Sequence, residues 1–93
     1  MLAVWKFVLL LDDEVVVEMP YGAKLLHVAS QFGDPAVVTL WALVKPTARP
    51  AHRRIFIRGT GHSISAEESR DYVGTVIVAD GRIVWHVFDG GYQ

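Results

Sequence analysis

YVGTVIVADGRIVWHVF, residues 72–88, carries the strongest local structural signal in the chain. Two runs of β-branched and aromatic residues flank Asp80-Gly81, a dipeptide suited to the positive φ angles of a tight hairpin turn. Tyr72 to Ala79 and Arg82 to Phe88 are therefore expected to pair as an antiparallel hairpin. In the second of these runs, alternation puts Val84, His86 and Phe88 on one face.

The same signals recur toward the N-terminus, with turn residues roughly every 8–15 positions. Val4 to Leu10 reads as a strand that Asp12-Asp13 turns into a second, Glu14 to Met19. Pro20 and Gly22 then occupy the second and fourth positions of a β-turn. Lys24 to Gln31 is a third strand, and FGDPA turns the chain. Val37 to Val44 is a fourth, apolar almost throughout and so expected to be buried on both faces. KPTARPAH, residues 45–52, is read as irregular because its prolines cannot donate to a ladder. Arg53 to Arg58 is a fifth strand, with Ile55 and Ile57 on one face and Arg54, Phe56 and Arg58 on the other. Ser65 and Glu68 have capping-box spacing, which permits one short helical turn. DGGYQ, residues 89–93, reads as a frayed tail. The expected fold is all-β: a single domain, a small antiparallel sandwich or barrel of about seven strands, with at most one short helical turn.

Composition narrows the function classes. The chain has 93 residues, 52% of them hydrophobic, and no cysteine, so disulfides and thiolate metal sites are excluded. So apolar a small chain has more to bury than its own core holds, which points to a homo-oligomer. Lys6 and the acids that follow Leu11 break the N-terminal apolar run, so neither a signal peptide nor a membrane span is expected. A net charge of −1 provides no global field for long nucleic acid. Locally the balance differs: from Lys45 to Arg58 there are five Lys and Arg residues and no acid.

That basic stretch ends in Arg58-Gly59-Thr60-Gly61-His62, the candidate binding site. Glycines free to take positive φ can present successive N–H groups as an anion nest. In this reading the amides of Gly59 and Gly61 and the hydroxyl of Thr60 hold phosphate, Arg54 and Arg58 neutralise it, and His62 adds a hydrogen bond. Phe56 or Tyr72 could stack on a base. The plainer alternative is a corner that two glycines make easy to build. Neither the spacing nor a following helix matches a Walker loop or a dinucleotide fingerprint.

Other chemistry finds less support. His27, His52, His62 and His86 show no metal-ligand spacing. Ser63 and Ser65 lie in no nucleophile elbow, and the pairs Asp12-Asp13 and Glu67-Glu68 read as solvated turn residues. Trp5, Trp41 and Trp85 lie within strands, as core or interface anchors. No catalytic residue, metal or cofactor is assigned, and the protein is read as a non-enzyme.

Three segments in order, VEMPYGAKLLHVASQFGDPAVVTLWALVKP, FIRGTGHSI and YVGTVIVADGRIVWHVFD, resemble a family of small tailed-bacteriophage proteins with an EMP-x-GAK turn, an LWALV strand, a GTGH turn and a closing HVF strand. The Pro/Arg-rich loop before GTGH departs from that pattern. The resemblance implies an accessory protein of the bacterial host cytoplasm, with Gly59 to His62 as its most distinctive segment. By fold-level analogy, such a protein would sequester a nucleotide-like immune signal. The alternative is a protein-interaction or virion-associated module, with a host or phage protein partner, in which the GTGH turn is structural.

Overall fold

A computed structural model describes residues 1–93. The domain is all-β: seven strands in two antiparallel sheets, packed face to face. The strands are β1 (Ala3–Leu10), β2 (Glu14–Pro20), β3 (Lys24–Ala29), β4 (Val37–Val44), β5 (Pro50–Gly59), β6 (Tyr72–Val78) and β7 (Ile83–Tyr92). One sheet has the order β1-β4-β3 and the other β2-β5-β7-β6. No helix is long and apolar enough to cross a membrane.

The Asp80-Gly81 hairpin forms as expected, with Val78 opposite Ile83. Its turn is a short 3-10 segment in which Ala79, Asp80 and Gly81 all take positive φ. The first glycine turn is shifted by one residue. The Ala23 amide donates to the Pro20 carbonyl, so Gly22, at φ 84°, takes the third position of its turn and not the fourth. That third position is where a type II turn requires positive φ.

Several boundaries also differ from the sequence reading, most of them by one or two residues. β1 starts one residue earlier, at Ala3, and β3 stops at Ala29. β5 begins at Pro50, inside the stretch read as irregular; Pro50 sits opposite Pro20 at the end of the ladder, where a missing N–H costs no internal bond. β7 runs on to Tyr92, so the supposed tail is paired structure. A bulge opposite Arg53 and Ile55 admits the Asp89–Tyr92 segment to the sheet, a register change that alternation alone does not reveal.

Between the sheets lie Leu9, Met19, Val28, Val38, Leu40, Ala42, Val44, Ile55, Ile57, Val76, Val78 and Val87, all buried. Each large aliphatic side chain here contributes about 1.5–3 kcal/mol of transfer free energy. β4 is the centre of its sheet, which explains its apolar run. Gly74 lets β6 close against β3, since a Cβ there would come within 2.8 Å of the Val28 side chain. Only 18 of 93 residues are buried, so most of the apolar residues lie at least partly outside the core.

Candidate functional site

Arg54, Phe56 and Arg58 point outward from β2-β5-β7-β6, whereas Gly59 and His62 lie at the end of the sandwich beside Ile57 and Trp85. Gly59 to His62 form a β-turn in which the His62 amide donates to the Gly59 carbonyl at 3.0 Å and Gly61 takes φ 88°. The His62 ring folds back over the turn. Its Nδ1 accepts from the Gly59 amide at 3.2 Å, and a Cβ on Gly59 would stand 2.9 Å from the ring. Gly59 is thus glycine because imidazole occupies the space above it, and its N–H points at that ring.

Thr60 is the end of a hydrogen-bonded chain. Its hydroxyl lies 2.7 Å from Nε2 of His86, whose Nδ1 is 3.1 Å from the Thr75 hydroxyl, which in turn is 2.6 Å from the Tyr72 hydroxyl. A neutral imidazole donates through one nitrogen and accepts through the other, so this chain can run in either direction. Tyr72 also packs edge-on against Phe88 at 5.7 Å. Its ring faces its own sheet on one side and remains exposed on the other.

Arg58 is engaged within the chain. Its guanidinium donates to the Asp13 carbonyl at 2.6 Å, the Ser63 carbonyl at 3.0 Å and the Ile57 carbonyl at 3.0 Å, and reaches the Glu68 carboxylate at 3.4 Å. It therefore ties the β1–β2 turn to the segment between β5 and β6. Glu68 is itself set by the capping box read from the sequence: the Ser65 amide donates to its carboxylate at 3.2 Å, and its own amide donates to the Ser65 hydroxyl at 3.0 Å. Those Ser65 hydrogen bonds, with a smaller contribution from the nearby arginine charges, hold the Glu68 carboxyl below its usual range. The expected helical turn is a run of turns at residues 66–69, with the Ser69 amide donating to the Ser65 carbonyl.

Arg54 pairs with Glu14 at 2.8 Å across the β2–β5 ladder, and its guanidinium lies 5.0 Å from the centre of the Phe56 ring. Phe56 is buried under Arg54 and Arg58, with no free face for a base. Arg54 and Phe56 border a cleft of about 510 Å³ between the 65–71 segment and the end of β7. Two guanidiniums, Arg54 and Arg70, and four carboxylates, Glu67, Glu68, Asp71 and Asp89, line it. Two smaller clefts, of about 240 and 250 Å³, flank His62. The eight sequence-derived positions are therefore not one pocket. Arg54 and Phe56 face the larger cleft; Gly59, Thr60 and His62 border the smaller ones; Arg58, Gly61 and Tyr72 line none of them. No group of three or more His, Asp or Glu side chains is placed to hold a metal ion.

A family model matches residues 1–93, the whole chain. The chain belongs to the family Domain of unknown function (DUF7352). No curated protein and no solved structure matches it.

In this DUF7352 domain the best-defined polar cluster is one that the sequence reading passed over. Arg53, counted there only as part of the basic stretch, is 8% exposed. Its Nε donates to Asp89 at 2.8 Å, a terminal nitrogen donates to the other Asp89 oxygen, and the second terminal nitrogen donates to the Ala23 carbonyl at 2.8 Å. Tyr92 stacks under the guanidinium at 4.6 Å, and Tyr21 and then Arg49 continue the stack at 4.9 and 4.3 Å. The Tyr92 hydroxyl accepts from the Ala23 amide and donates to the Pro20 carbonyl. Burial raises the Asp89 carboxyl, but the Arg53 hydrogen bonds, the Gly91 amide and the Arg53 charge outweigh it and hold the group below its usual range. The hydrogen bond to Asp89, against the opposing pull of burial, raises Arg53 above its ordinary value. The cluster locks the C-terminal strand to the β2–β3 turn. A signal for it existed in the sequence, since Arg53 alternates with Ile55 and Ile57 and so faces inward.

Proposed function

We propose that this domain is a non-enzymatic protein-interaction module that docks through the outer face of β1-β4-β3. One observation carries the reading: the two outer faces of the sandwich differ in kind. The outer face of β2-β5-β7-β6 bears Glu14, Glu18, His52, Arg54 and Arg58, as a solvated sheet does. The three strands of the other sheet contain no Asp or Glu at all. In β1 the outward positions are Val4, Lys6, Val8 and Leu10, while Ala3, Phe7 and Leu9 pack inward. A strand apolar on both faces is the pattern of a strand covered on both faces, and the fold covers one. The engagement of Arg58, Gly59 and Thr60 within the chain supports a structural role for the glycine turn. A photo-crosslinking residue placed at Val8 should give discrete crosslinked products in cells, and one at Val16, on the opposite face, should not. Equal products from both, or none from either, would count against this reading.

A phosphate-bearing small molecule is the second reading: Arg54 and Arg70 share one cleft, where they would have to hold the anion against the carboxylates of Glu67, Glu68, Asp71 and Asp89. On this reading the resemblance to phage proteins gives the domain the task of sequestering a nucleotide immune signal, with two arginines as the anion clamp. Thermal-shift screening of a nucleotide panel tests it: stabilisation that Arg70→Ala removes would support it, and no stabilisation by any nucleotide would end it.

A further inference from the structure

The apolar face invites a more specific statement, which rests on the first reading above. We propose that its occupant is a second copy of this chain, stacked sheet on sheet about a two-fold axis with β4 at the centre of the contact.

Area is the first argument. Leu2, Val4, Val8, Leu10 and Phe32 are each between 51% and 74% exposed. The alternation of β1 puts the first four on this face, and the Phe32 ring, 5.7 Å from the Lys6 ammonium, lies over it. More than half of each of these five residues is exposed, and together they form a contiguous apolar patch of the few-hundred-Å² class that marks interaction surfaces. The half-buried Trp41 and Leu43, with the stems of Lys6 and His27, extend it across the sheet toward the roughly 800 Å² per partner of a standard interface.

Shape and supply give the second. The face is a three-stranded sheet without a groove, and such a surface is covered best by another sheet about 10 Å away, as already happens inside this sandwich. An isologous pair provides that sheet from the same sequence. A face this apolar needs cover from the moment the chain folds, and the chain's own copies are the partner present in matching amount. With 18 of 93 residues buried in the single chain, the second sheet contact also adds substantially to a small core.

Charge is compatible with the pairing. Lys6 on β1 and Lys24 on β3 are the two lysines of this face, and as edge-strand residues each can carry its ammonium past the rim while its stem stays covered. With the two-fold axis along β4, β1 of one copy lies over β3 of the other. Lys6 then meets the level of His27, because both pair with Trp41, and the Lys6 residues of the two copies do not meet each other.

Sedimentation equilibrium and light scattering on the purified chain should give twice the 10.3 kDa chain mass. Val8→Asp, which places a carboxylate in the contact from each side, should raise the dissociation constant by about a hundred-fold or more. Val16→Asp, on the opposite face, should leave it unchanged. A variant that avoids any question of folding uses the absence of native cysteine. Leu43→Cys should be joined into a covalent dimer by a short bismaleimide, and Val16→Cys should not. A wild-type mass of one chain at concentrations up to about a hundred micromolar, well above the range a standard-size interface needs, overturns the proposal. So does a dimer that Val8→Asp leaves intact. If the protein is monomeric but the Val8 photo-crosslinker still captures a different protein, self-pairing fails and the docking reading stands. If the crosslinker captures nothing, both fail.

Discussion

Replacing Asp89 by Asn should be among the most damaging single substitutions in the domain, although the two side chains have nearly the same shape. Arg53 is buried and gives three hydrogen bonds, two of them to the Asp89 carboxylate and one to the Ala23 carbonyl. Asn leaves one acceptor, turns an N–H₂ toward a guanidinium that has only N–H groups to offer, and removes the compensating charge. Breaking a buried pair in this way costs about 3–5 kcal/mol, because the remaining ion stays desolvated. A domain of this size holds about 5–15 kcal/mol in all, and each kcal/mol moves its midpoint by about 4–8 °C. A fall of roughly 12–40 °C in the thermal midpoint is expected, read by calorimetry or circular dichroism. The double replacement Arg53→Met with Asp89→Leu removes both charges and should recover most of that loss. The pH dependence has a definite sign. The folded Asp89 carboxyl lies below its unfolded value, so its contribution is complete above about pH 4 and is lost as the pH falls through the folded value. The Asn variant lacks that acid-side loss, and its stability curve should be flatter there. A cost for Asp89→Asn below about 1 kcal/mol, or a double variant no better than the sum of its parts, would refute the assignment of the pair as a buried, coupled lock.

Two further substitutions probe the outer face of β2-β5-β7-β6. Gly90→Ala brings a methyl group to 2.6 Å from Cε2 of Phe56 and 3.0 Å from both Cβ and the carbonyl oxygen of Arg54; overpacking against a buried ring and backbone should cost about 1–3 kcal/mol in urea unfolding. Arg58→Ala leaves the Ser63 carbonyl without its guanidinium donor and the Asp13 carbonyl with the Ile57 amide alone, and should cost about 1–3 kcal/mol, with faster amide exchange in the β1–β2 turn and the 60–71 segment; unchanged stability and exchange would mean that the side chain does not join them.

The Asp80-Gly81 hairpin, the inward set Ile55 and Ile57, and the Ser65–Glu68 capping box all depend on contacts within a few positions of the chain, and local chemistry was sufficient for them. The shift of the first turn to Pro20–Ala23 was missed because Gly22 is permissive at more than one turn position. Arg53 shows a different failure. Beside Arg54 and Arg58 it looks like one more surface cation, and only the Asp89 carboxylate, 36 positions away, makes its burial sustainable.

Short-range physics is enough to specify an all-β chain, the positions of its strands to within a few residues, and an apolar content that leaves most hydrophobic residues at least partly outside the core. Tertiary structure decided what each polar group does. A backbone N–H, a guanidinium or a hydroxyl binds whatever the fold brings within about 3 Å, and that neighbour is set by strand pairing across tens of residues. Pairing gave the Gly59 amide to His62, Arg58 to the Asp13 and Ser63 carbonyls, and Thr60 to His86. It also put Glu14, Glu18, Arg54 and Arg58 on one outer face and left the other with Lys6, Lys24 and His27 among apolar residues, because alternation assigns side chains to two faces while only the packing of the sheets decides which of those faces is inside.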